Sequence, residues 1–238
     1  MVVTTTAVAF ILVSIGLAFC GFRFFRALPQ AGVGQPKGRV RVLLGGHLLA
    51  SSVTMGSLGL GSLFFTHNPQ ALFAVLLFSH IPLTLATVFG VYLTFHIFFP
   101  HVSPWPAVVG VALLGAVVFI ATIVVHPLPH LTAGNGIDWD MPRLLSILFS
   151  YLVLLQIGSE LYVFSRLFLQ VPAGEVKKLS LFIAGSASLA MINHAVRFTF
   201  FLINAPNLQS RVYDLVLAFI GIAFIFIFVP SRTAGRKN

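Results

Sequence analysis

The chain has 238 residues, 58% hydrophobic and only 8% charged, with a formal net charge of +9. A soluble domain needs a polar surface, so this composition excludes one and assigns the chain to lipid. The single cysteine excludes a disulfide framework and a thiolate metal cluster.

Apolar runs near the bilayer-spanning length of about 20 residues occupy 4–26, 42–66, 71–99, 106–126, 143–169, 178–203 and 212–230. The expected fold is all-α: a polytopic membrane protein, a seven-transmembrane-helix bundle forming one transmembrane domain over 1–238. The first run lacks a basic leader, and bulky Phe19 precedes Cys20 where a lipoprotein cleavage site takes a small residue. Residues 4–26 therefore read as a retained first helix.

Basic residues fix the expected orientation. Arg23, Arg26, Lys37, Arg39 and Arg41 surround the first connection, Arg166, Lys177 and Lys178 the fifth, and Arg232, Arg236 and Lys237 the tail. These alternate connections share one side, which the positive-inside rule makes cytoplasmic, giving an N-out/C-in chain. The +9 charge is thus an orientation signal, with some attraction to anionic headgroups, and does not point to nucleic acid.

Shifting the chain by 140 residues aligns Arg26 with Arg166, Gln30 with Gln170, Lys37 with Lys177 and Gly45 with Gly185. A parallel 3+1+3 duplication, with helix 4 as connector, is one reading. Shared composition of basic loops and Gly/Leu/Ala-rich helices is the other.

Helix 2 carries Gly45, Gly46, Gly56, Gly59 and Gly61, small residues that let helices approach closely or let a flat cofactor lie on the backbone. Helix 3 carries His80, with Thr84, Thr87 and Thr94 at helical spacing on a stripe expected to face the bundle, and Pro82 expected to kink it. His80 and His194, on helices 3 and 6, both lie roughly 9 residues, about 14 Å, below the outer ends of their helices. Two histidines at one level are what bis-imidazole ligation of a haem b iron requires. Arg197, one turn from His194, and Arg143, at the outer end of helix 5, are candidate propionate anchors. The bland alternative is that each histidine hydrogen-bonds a neighbour and binds nothing.

A second set lies nearer the inner surface: His47, His96 and Glu160. A second haem between His47 and His96 is disfavoured. His80 and His96 are 16 residues apart, which turns a helix by about 160° and puts them on opposite faces; His96 then belongs at headgroup level. Glu160 is the one acid deep in a span, with Gln156 and Ser159 on its side of helix 5. By depth its partners are His47 and Arg26, either in a proton- or quinone-handling site or in a structural pair, the latter slightly favoured. His67, His101, His126 and His130 fall at span ends, and His126 with His130 makes only a weak surface metal site.

Helix 7 has no mid-span lysine for a retinal Schiff base, and the chain lacks HExxH, a phosphate loop and paired carboxylates. The leading expectation is a haem b-binding, cytochrome b-like subunit, rather than a free-standing enzyme, passing electrons between quinone and other subunits of a membrane complex. The rival is a cofactor-free transporter or sensor binding a small polar or anionic solute through buried His, Glu and Arg.

Overall fold

The structure, a computed structural model, describes residues 3–26, 36–133, 135–171, 175–202 and 215–220. It is helical almost throughout: α1 (Thr5–Arg26), α2 (Pro36–Phe64), α3 (Pro69–Phe98), α4 (Trp105–Val125), α5 (Arg143–Gln170) and α6 (Glu175–Leu202). Five of these, α1 to α5, are long and apolar enough to cross a membrane, as a multi-pass integral membrane protein requires. Of the seventh expected helix, 215–220 is helical; the rest of 212–230 lies outside the described residues.

Local chemistry sets the boundaries. Thr4 opens α1, its Oγ1 accepting from the Ala7 amide at 3.0 Å, and Asn68 caps α3 by accepting from the Ala71 amide at 3.0 Å, with Pro69 in the first turn. α4 stops at His126, which adopts φ 50° in the left-handed region ahead of Pro127. α4 also shows plainly why it sits where it does. Val108, Val111, Gly115, Val118 and Thr122 are buried at helical spacing, while Val109, Leu113, Val117, Ile120 and Val124 form an exposed apolar stripe on the other side. Only lipid can cover such a stripe in a monomer.

α1 and α2 run antiparallel. Ile11, Ser14 and Phe25 of α1 meet Gly59, Gly56 and Gly45 of α2 in reverse order. A methyl added at Gly59 would stand 2.8 Å from Ile11 Cγ1 and 3.0 Å from its backbone nitrogen, so these glycines serve close helix approach. α3 packs on α2, α4 and α5, and α5 on α6, around a core that includes Leu48, Leu76, Leu83, Leu152, Phe164 and Ile183.

One feature was not expected from the sequence. Between α4 and α5, β1 (His130–Leu131) and β2 (Ile137–Asp138) form a two-residue antiparallel hairpin. It holds the start of α1: the Thr5 amide donates to Asn135 O at 3.0 Å, the Ile137 amide donates to Thr6 Oγ1 at 3.0 Å, and the side-chain Nδ2 of Asn135 donates to Val3 O at 3.0 Å. Chain start and hairpin therefore share one end of the bundle. At the other end the bases rest on rings, Arg23 over Phe19, Arg166 over Phe98 and Lys177 over Phe168, at 5.1 to 5.5 Å.

Candidate functional site

Three helices meet at a buried polar cluster. On α2, His47 and Ser51 are four residues apart and share a face; on α5, Gln156 and Glu160 do the same. His47, 1% exposed, has Nδ1 2.7 Å from the Ala86 carbonyl of α3 and Nε2 2.8 Å from Glu160 Oε1. A carbonyl only accepts, so Nδ1 carries a hydrogen and donates to Ala86 O. Nε2 and Glu160 Oε1 then share one hydrogen bond, whichever of the two carries the proton.

Glu160 Oε1 collects every hydrogen bond this carboxyl makes among the described residues: from His47, from Ser51 Oγ at 3.4 Å and from Gln156 Nε2 at 3.3 Å. Gln156 Nε2 also donates to Ser51 Oγ at 2.7 Å. The acceptor oxygen of Glu160 fixes the Gln156 amide with its nitrogen toward the cluster and its oxygen away from it. Oε2 of Glu160 and Oε1 of Gln156 remain as acceptors with no hydrogen-bond donor among the described residues. On the α3 side, a methyl at Gly90 would stand 3.1 Å from His47 Cε1 and overlap Ser159 Oγ, so glycine leaves room there for both side chains.

A second cluster surrounds His80, also 1% exposed. Its Nδ1 donates to Leu76 O, one turn back, at 2.7 Å. Its Nε2 is 3.0 Å from Thr122 Oγ1 of α4, and Phe149 of α5 lies 5.3 Å from the ring. Thr84, Thr87 and Thr94 return their hydroxyls to the carbonyls four residues back, at 2.7 to 2.9 Å, the usual resort of a hydroxyl in apolar surroundings.

Between α1, α2, α3, α5, α6 and residues 215–220 lies a cavity of about 140 Å³. Its walls are mostly apolar, among them Phe10, Leu58, Leu83, Phe149 and Ile183. Trp139 and Met141 line it at the hairpin end, and Gln156 and Glu160 bring the polar cluster to its other end. On α5 the lining runs from Ser146 to Glu160, a height of about 21 Å at the helical rise.

No protein-family model, curated protein or solved structure matches this chain. The functional reading therefore rests on the geometry.

The sequence-derived candidates separate as follows. His47 and Glu160 come together, as depth matching expects, with Gln156 beside them. Ser51, Gly90 and the Ala86 carbonyl complete the cluster, and the i+4 spacing from His47 is the signal that could have found Ser51. His96 is exposed near the end of α3 and stacks on Tyr92 at 5.7 Å, on the opposite side from His80 and away from His47. His194 is buried and lines the cavity, whereas His80 is not among the lining residues and faces α4. Arg143 is exposed at the start of α5; the side chains of Arg197 and Arg26 lie outside the described residues. Among the described residues no group of three or more His, Cys, Asp or Glu side chains is placed to hold a metal ion.

Proposed function

We propose that this chain is a seven-span membrane bundle, N-terminus outside and C-terminus inside, that takes a small, largely apolar molecule into its central cavity as a transporter or sensor. The observation that carries this reading is the cavity itself, mostly apolar with a few polar groups, Gln156 and Glu160 among them, the composition expected of a small-molecule site. Alternating basic connections support the orientation. The packing of α4 against α3 and α5 supports its role as connector between two three-helix halves.

The alternative, a haem b subunit exchanging electrons with quinone and a partner protein, draws less support. A bis-histidine haem needs one ring nitrogen from each side turned into a common gap. His80 has hydrogen-bond partners at both nitrogens and would have to give up Thr122 and turn toward a cavity it does not line.

The two readings separate in one preparation. The chain has two tryptophans; Trp105 is 64% exposed at the far end, while Trp139 lines the cavity. In a Trp105→Phe protein in nanodiscs, 1-bromohexane should quench Trp139 saturably, and Ala187→Phe, which fills the cavity wall, should abolish saturation. Linear quenching, equal in both proteins, would refute the cavity reading. Reduced-state haem bands, lost in His80→Ala, would favour the electron carrier instead.

A further inference from the structure

Resting on that reading, we propose that the molecule taken into the cavity is a linear primary amine, its ammonium held by Glu160 Oε2 and Gln156 Oε1 and its chain lying along α5. The head group follows from the hydrogen-bond inventory. Glu160 is 9% exposed and Gln156 4%, and both line the cavity. Inside the cluster, Glu160 Oε1 and Gln156 Nε2 are fully engaged. Left over are two acceptor oxygens, one turn apart on the same helix face. Two acceptors ask for a group that only donates, and an ammonium has three donors and no acceptor.

Charge selects the same ligand. The His47–Glu160 pair is oriented: Glu160 lines the cavity, while His47 does not. The cavity therefore meets the acidic end of the pair. No Lys or Arg occurs among the described lining residues, where His194 is the one basic side chain, so an anion meets no permanent cation there. Ser146, Ser150 and Ser186 also line the cavity, but a hydroxyl both donates and accepts and so does not select a sign.

Shape selects the body. The lining residues of α5, from Ser146 to Glu160, span about 21 Å, a length that suits an extended chain lying along the helix. Phe149, Val153 and Ile157, at helical spacing on α5, supply the apolar wall along which that chain lies.

The test uses the Trp105→Phe protein in nanodiscs, with 1-bromohexane as the quencher to be displaced. n-Hexylamine should displace it at concentrations at least about tenfold below n-hexanol or hexanoate, the return on one charge-assisted hydrogen bond. Within Glu160→Gln, and separately within Gln156→Met, the ratio of amine to alcohol affinity should fall toward one. Because the ratio is measured inside each variant, a partial loss of folded protein does not imitate it. Saturable quenching without amine preference would overturn the head-group assignment and leave the cavity reading standing. Absence of saturable quenching would instead remove the cavity reading on which it rests.

Discussion

Cutting the His47–Glu160 contact from each side should give unequal losses that do not add. In Glu160→Leu, Ser51 keeps the His47 carbonyl at 3.0 Å and Gln156 keeps Ser51 at 2.7 Å. Only the His47 Nε2 loses its partner outright, so the cost is that of one unsatisfied buried acceptor on a neutral imidazole, about 1–3 kcal/mol. In His47→Leu the carboxyl keeps two donors but no countercharge, and the cost rises to about 3–5 kcal/mol. The double variant has neither a charge nor an orphaned ring nitrogen. It should therefore cost about 2–3 kcal/mol less than the two single losses together, at the upper end of measured couplings between contacting residues. An ordinary hydrogen bond between membrane helices averages about 0.6 kcal/mol in the same kind of cycle, so the result separates a shared-proton pair from a generic polar contact. The assay is equilibrium unfolding in mixed micelles with rising SDS, followed by loss of helical circular dichroism. Single losses that add to within about 0.5 kcal/mol would refute the coupled pair.

Gly90→Ala should lower stability by about 1–3 kcal/mol through overpacking against His47 and Ser159, and Ser159→Ala in the same protein should restore part of it. Gly59→Ala, blocked by the Ile11 backbone, should lose a similar amount, whereas Gly110→Ala, whose new methyl meets nothing within 4 Å, should gain up to about 1 kcal/mol of helix propensity; the same unfolding assay reads all three. Thr122→Val keeps the shape but removes the hydroxyl from His80 Nε2, for a loss of about 1–3 kcal/mol, and additivity with the Glu160 variants would show the two polar clusters to be independent. Single cysteines in a Cys20→Ala background, at Asn135 and at Lys178, should react with an impermeant maleimide from opposite sides of intact cells, Asn135 from outside.

The six described helices were legible because hydrophobic run length is a direct physical readout of bilayer thickness, and their caps, Asn68 with Pro69 and His126 with Pro127, are local. The hairpin was not, since two-residue strands carry no periodicity. Depth counting found the His47–Glu160 contact because the pair needed only a common height and complementary chemistry. It could not find the Ala86 carbonyl, which any residue type would supply, or foresee that Gly90 leaves room beside the imidazole. For His80 and His194 the same counting gave height but no azimuth. The clue was a polar residue on an otherwise apolar helix, Thr122 of α4, whose partner had to lie across the interface. The threonine stripe does meet packed neighbours, Thr87 being buried and Thr84 lying against Gly115 of α4, but hydroxyls that satisfy themselves on their own helix do not say which helix they face.

Glu160 belongs to both the polar cluster and the cavity wall, and its two oxygens divide the roles. Oε1 is tied to α2 through His47 and Ser51 and to its own helix through Gln156. These ties fix the carboxyl plane, and with it the direction of Oε2, before any ligand arrives. A carboxylate held by a single contact would have to be ordered on binding, at an entropic cost that lowers affinity. Here that cost is met during folding, by the same contacts that join α2, α3 and α5. It follows that stability and ligand preference cannot be varied independently at Glu160, since removing Oε1 contacts also frees Oε2. Gln156 couples them in the same way, its amide nitrogen bonded within the cluster and its oxygen left over. Ser51, which does not line the cavity, reaches the ligand only through Oε1, so Ser51→Ala should shift both by a smaller amount.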